Sequence, residues 1–277
     1  MKNSDWLCKI PLRSDIDKSE FKHFQVFTYD YVLNIIAVSY EKGLIEGSGF
    51  MYYDLSYLIF MLPAIILSIW AQYKVKSAYS KYSKIPNSRG MTGEMAARAV
   101  LGAHGITNVR IEHIAGSLTD HFSPKENIIR LSDGVYGQAS IAAVCIAAHE
   151  AGHAVQHAEG YVPNKIRSGV IPVAGITSKL STPLIIAGFL FSDTLIWIGI
   201  AAYSLAVLVY LVTLPVEFDA SRRALATIKS SYMLDENEYK GAKSVLTAAA
   251  MTYVASALSA LIQFLRLVLI AAGRRRD

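Results

Sequence analysis

The chain has 277 residues, 53% hydrophobic and 18% charged, with mean hydropathy +0.32. Several long runs carry no charge, which points to a membrane protein rather than an ordinary soluble domain. The net charge of +5 is modest and its basic residues sit beside the apolar runs, so it reads as topology and excludes nucleic acid as a partner; two cysteines, Cys8 and Cys145, exclude a disulfide framework.

Residues 1–50 mix acidic and basic side chains and contain no chemical motif, so they read as an extension of unknown role. Leu55 to Tyr73 carries no charge and is long enough to cross the hydrocarbon as a helix, giving an expected span over 51–73. Lys74, Lys76, Lys81, Lys84 and Arg89 follow with no acid before Glu94. By the positive-inside rule that flank is cytoplasmic.

Residues 74–168 read as a catalytic region outside the membrane. Thr92 caps a helix that ends near Gly105. Val109 to His113 reads as a strand, and SLTDHF and NIIRLS as a further strand pair joined by Ser123-Pro124-Lys125-Glu126. His104, His113 and His121 lack ligand spacing.

A helix over 141–158 then carries His149-Glu150-Ala151-Gly152-His153, the pattern H-E-x-x-H. On a helix the two histidines stand one turn apart on one face, where two imidazoles can share a zinc ion. Glu150 is turned roughly 100° from His149, placed to hold a water and take its proton as general base. Cys145, one turn before His149, reads as a small packed hydrophobe. His157 continues the four-residue step but stands a turn too far for one tetrahedral ion, so it reads as a supporting or surface residue. A catalytic zinc still requires a third protein ligand.

Residues 169–216 read as a transmembrane hairpin turning at Ser192-Asp193. Lys179 falls within its first arm and is expected to face protein, line a wet cavity or reach for the interface. Pro215 marks the expected start of a new helix, within a third-ligand segment and polar connection over 217–243. Glu217 and Asp219 both emerge there on the side of His149 and His153. Two residues apart on a helix they point about 200° apart, so only one can face the histidine pair. Residues 244–277 form an apolar helix interrupted by Arg266 and closed by Arg274-Arg275-Arg276. Four placements stay open for it: spanning, re-entrant, lying along the membrane, or packed on the catalytic region.

GMTGEMAARAVL, LTDHFSPKENIIRLS, HEAGHAVQHAEGY, PVEFDASRRA and TYVASALSALIQFLR occur in that order. Together they resemble the YugP-type membrane zinc metallopeptidases of bacteria, from Met51 to the C-terminus. The arrangement also resembles, more distantly, the HtpX-like membrane gluzincins, in which a hairpin separates H-E-x-x-H from a glutamate in the pattern E-x-x-A-D. The matching residues are Glu217, Ala220 and Ser221; serine at the aspartate position is a departure, and Asp219 is the expected substitute for that contact.

The resemblance implies an α+β, mainly α, multi-pass membrane protein. Its zincin-like region would combine a small β-sheet with the H-E-x-x-H helix. It implies one Zn2+ per chain on His149, His153 and Glu217, with Glu150 as the base and Asp219, Ser221 and His157 as supporting residues. Leu118, Thr119, Asp120 and His121, in the stretch to Phe122, or alternatively Asn127 to Leu131, would offer a strand for an extended substrate. Peptides or membrane proteins would be the substrates, the lipid bilayer the other partner, and the site would face the cytoplasm at the bacterial inner membrane. A site-2-type intramembrane protease and a catalytically silent membrane scaffold are the competing readings. No feature of the chain sets an oligomeric state.

Overall fold

The computed structural model of the chain describes residues 50–274. The extension up to residue 49, and Arg275 and Arg276, lie outside them. Among the described residues, six helices and three short strands follow one another: α1 (Phe50–Tyr82), α2 (Gly93–Ala103), β1 (Arg110–His113), β2 (His121–Ser123), β3 (Ile128–Leu131), α3 (Ile141–Ala158), α4 (Val162–Phe191), α5 (Asp193–Ser230) and α6 (Glu236–Gly273). The protein is thus mainly helical, with one small sheet.

The sheet has the order β1-β3-β2. β3 lies in the middle, parallel to β1 and antiparallel to β2, with Phe122 opposite Ile129. Ile128, Ile129 and Leu131 of β3 are buried, as an apolar run in a central strand should be. β2 is an edge strand. Of the four residues expected to form a substrate strand, only His121 lies in it. Leu118 takes a left-handed φ of 55°, and Asp120 turns inward to accept hydrogen bonds from the Ser132 N–H and hydroxyl at 2.7 and 2.9 Å.

The Ser140 side chain caps α3 by accepting from the Ala143 N–H. The helix is rich in Ala and Val, and its small side chains let it sit in the middle of the core. Val144, Ala147, Ala148, Ala151 and Val155 are all fully buried, packed with Val100 of α2, Leu131 of β3 and Ile228 of α5. Thr92 caps α2 as its position suggests, accepting from the Met95 N–H. Asp235 and Glu238 form a capping box that starts α6. Glu238 also accepts from the Ser88 N–H at 2.6 Å, which fastens α6 to the loop after α1.

α4, α5 and α6 are each long and apolar enough to cross a membrane. α4 and α5 fold back on each other at Ser192. A Cβ on Gly188 would lie 2.5 Å from the Ile196 backbone nitrogen, so glycine is what lets the two helices touch there. α6 then runs the length of α5 back to the turn of this hairpin, where Arg274 Nε lies 2.9 Å from Asp193 Oδ1. α1 runs antiparallel to α6, with the Ser68 and Ser259 hydroxyls 3.5 Å apart and Met61 and Ala64 beside Ile262. Apolar side chains such as Ile176, Leu190 and Phe191 face outward from this bundle. Lys179 is exposed with them.

Helix boundaries differ from the expected ones in three places. α1 continues past Tyr73 to Tyr82. Pro215 does not start a helix but lies inside α5, so the candidate third ligand and the hairpin's second arm share one 38-residue helix. Neighbouring helices on three sides hold α5 together where proline removes an N–H. The polar connection shrinks to residues 231–235, because Glu236–Lys243 forms the first turns of α6.

Candidate metal centre

The four-residue step of α3 places the His149 and His153 rings edge to face, their centroids 4.7 Å apart. α5 crosses this face, and Glu217 closes the triangle. Its Oε2 lies 3.3 Å from His149 Nε2 and 3.5 Å from His153 Nε2. The three side chains are close enough to hold one metal ion. Tetrahedral bonds of about 2.0–2.1 Å would set ligand atoms roughly 3.3–3.4 Å apart, which these separations match. Glu217 is 3% exposed, and its Oε2 accepts no hydrogen bond. A buried carboxylate oxygen left without a donor beside two imidazoles fits a cation at that point.

The outer nitrogens of both rings are occupied. Ser221 Oγ lies 3.1 Å from His149 Nδ1, and Gln156 Oε1 lies 3.1 Å from His153 Nδ1. Gln156 is fully buried, and its Nε2 donates to the Val216 carbonyl at 2.8 Å and to Asp219 Oδ2 at 3.0 Å. Two acceptors at Nε2 fix the amide so that Oε1 must accept from His153 Nδ1–H. That assignment leaves the His153 Nε2 lone pair facing Glu217 and the site. Asp219 points away from the histidine pair. It accepts from Gln156, from Arg222, and from Arg223 Nε at 2.6 Å. The expected substitution of Asp219 for the missing aspartate contact is therefore not what the structure shows. Ser221 reaches His149 itself, and Gln156, which sequence reasoning missed, links Asp219 to His153.

Glycine explains why a short serine suffices. A Cβ on Gly152 would stand 2.7 Å from the Ala220 carbonyl oxygen, so α3 and α5 touch backbone to backbone beside the site. Gly152→Ala should force the helices apart and open the His149–His153–Glu217 triangle. Overpacking of this kind typically costs about 1–3 kcal/mol. The expected result is a lower melting temperature together with at least about tenfold weaker zinc retention. Unchanged zinc content and melting in that variant would show that the close approach is unimportant.

Glu150 stands beside the cluster, and its Oε2 accepts from the Phe122 N–H at 3.1 Å. Burial pushes its carboxyl up to about 7, against the opposing pull of His149. Burial likewise raises the Asp120 carboxyl, and pushes the Cys145 thiol up to about 12. Cys145 is thus an inert core residue. His157 is exposed and rests its ring on Phe122, centroids 5.7 Å apart, rather than on the cluster. His104 pairs with Glu159 and His113 with Asp133, while His121 Nδ1 lies 2.9 Å from the Thr119 carbonyl oxygen.

Gln156→Leu should leave the ligands in place but loosen His153 and cut its link to Asp219, which keeps Arg222 and Arg223. We expect zinc affinity to fall by about 10–100-fold in a chelator competition, the usual range for losing a partner that orients a ligand. An affinity within about twofold of the parent's would remove Gln156 from the site.

A small α/β layer and a bundle of long apolar helices jointly enclose two histidines and a glutamate, the frame of a membrane-associated metalloprotein. The family described as "Putative neutral zinc metallopeptidase" matches residues 57–272, and the chain belongs to it. A curated relative, "Putative membrane protease YugP" of Bacillus subtilis (strain 168), is 44% identical over 222 residues, which cover 80% of this chain and 99% of the relative. No solved structure matches the chain.

Proposed function

We propose that the protein is a zinc-dependent endopeptidase that works at the surface of the bacterial inner membrane and binds one zinc ion per chain through His149, His153 and Glu217. The observation that carries this reading is the orphaned Glu217 Oε2, 3.3 and 3.5 Å from two imidazole nitrogens. Zinc, when bound, supplies Lewis-acid polarisation of a carbonyl and acidification of water toward a pKa of ~7. The remaining steps belong to the chain. Glu150 keeps Oε2 on the Phe122 N–H and uses its other oxygen to take a proton from water, then returns it to the leaving amine. Ser221 and Gln156 hold the histidine rings in register through the cycle.

β2 supports a peptide substrate in particular. It pairs on one side only, and the outward-facing Phe122 N–H already touches Glu150. A peptide laid along this edge by strand addition brings its backbone past the base. The edge His121–Ser123 is the segment we assign to this contact. In the membrane, α1 joins α4, α5 and α6 as a fourth span. The lysines that follow Tyr73 lie toward the metal site, and by the positive-inside rule they support a site that faces the cytoplasm.

An intramembrane protease would need the H-E-x-x-H helix within the bilayer. α3 instead packs in the core against α2 and β3, with His149, Glu150, His153 and His157 along its length. The test is made on full-length protein in detergent. We expect about one zinc per chain and peptide hydrolysis that stops with chelator and returns with zinc. Metal-free protein as purified, with no zinc uptake, refutes the proposal; zinc without hydrolysis of any peptide leaves the scaffold reading instead.

A further inference from the structure

The two oxygens of Glu217 have different surroundings. Oε2 faces the histidine pair and takes no hydrogen bond. Oε1 faces Arg167 of α4, whose Nη1 lies 3.5 Å away in a pair with side chains 13% and 4% exposed. The Tyr253 phenol, from α6, lies beside the same carboxylate. Groups from two further membrane-type helices therefore flank Glu217 in addition to the histidine pair that Oε2 faces.

We propose that Arg167 and Tyr253 are positioning residues that restrict Glu217 to binding the metal through one oxygen. This rests on the metal-site reading given above. A carboxylate can grip a metal with one oxygen or with both. If Oε1 swings inward, it takes the position that a catalytic zinc must keep open. Arg167 at Oε1 and the phenol beside the carboxylate hold its plane still. The guanidinium also offsets the charge of a carboxylate held in the core. Each group comes from a different helix, so the arrangement ties the metal centre to α4, α5 and α6 at once. Arginine fits the role better than lysine, because its planar fork loses less freedom per hydrogen bond formed.

Full-length protein in detergent, loaded with zinc or with cobalt(II), tests this. Tyr253→Phe and Arg167→Met should each speed zinc release to a chelator by about 10–100-fold. The cobalt absorption bands should weaken and shift as Oε1 joins the coordination sphere. Arg167→Lys should recover part of the slow release, since charge and one donor return. The double variant should lose less than the product of the single losses, because both groups act on one carboxylate. Tyr253→Phe changes no volume beyond a hydroxyl, so it decides the matter if Arg167→Met fails to fold. Release rates within about twofold of the parent and an unchanged cobalt spectrum overturn the inference, even if hydrolysis falls; the two residues would then act on substrate. Failure of the parent chain itself to load zinc would sink the underlying metal-site reading, a distinct result.

Discussion

Glu150→Gln should lower peptide hydrolysis by about 10²–10⁴-fold, the usual worth of a positioned acid–base group, while zinc content stays at the parent level. Glutamine has nearly the same shape, and its carbonyl can still accept from the Phe122 N–H. The ligand side chains His149, His153 and Glu217 are untouched. What disappears is the carboxyl that takes and returns the proton, a group that burial pushes up to about 7 in the metal-free fold. The sign of the stability change follows from the same shift. A folded-state pKa above the ordinary carboxylate value means that burial favours the neutral form, so the ionised group destabilises the metal-free fold as pH rises through about 7. A neutral glutamine removes that cost. The variant should therefore melt no lower than the parent in metal-free buffer at pH 8. Loss of zinc, or a clear drop in melting temperature, would show that Glu150 holds the site together rather than moving protons.

The histidine pair was legible because it is local. A four-residue step on a helix decides which face two side chains share, whatever the rest of the chain does, and Nε2 of both rings indeed points to one spot. Glu217 was harder, since 64 residues separate it from His153. Its place depends on the hairpin returning α5 to α3, and the chemical need for a third ligand together with the E-x-x-A resemblance drew attention to the acids there. Between Glu217 and Asp219 the helical angle was the right guide: they face opposite ways, one into the triangle and the other toward Arg222 and Arg223.

The contacts behind the ligands were not legible. Whether Ser221 reaches His149 depends on how closely two backbones approach, and that is set where Gly152 of α3, remote from the serine in sequence, meets the Ala220 carbonyl. Gln156 reads as one more polar residue on a helix until α5 is laid across it. Pro215 misled for a related reason. Proline stops helices in water, where a freed carbonyl has no reason to stay in line, but packing of α5 against α3, α4 and α6 overrides that local rule. Leu118 gave no warning of its left-handed backbone, since leucine rarely adopts it. At the C-terminus, charge argued against a full crossing. Arg266 is nevertheless taken into the bundle at 7% exposure, and Arg274 meets Asp193 at the hairpin turn.

The choice of third ligand gives the second large effect. Glu217→Ala should take zinc from about one per chain to nearly none, and hydrolysis should vanish with it. Two imidazoles alone leave the ion with half of a tetrahedral shell. The variant also strips Arg167 of its ion pair in a largely enclosed setting. Breaking a buried pair from one side typically costs about 3–5 kcal/mol, and Arg167's residual exposure puts the expected loss at the low end. Melting in metal-free buffer separates this structural loss from the missing metal. Asp219→Asn is the matched control. Both Asp219 oxygens already accept from Gln156, Arg222 and Arg223, so asparagine weakens that network without removing a ligand. It should keep most of the zinc, with activity reduced through the looser hold on Gln156 and His153. Metal analysis of the two proteins purified side by side decides between them. If Asp219→Asn loses the ion and Glu217→Ala retains it, Asp219 is the ligand and the geometry of α5 over α3 must differ from the one described.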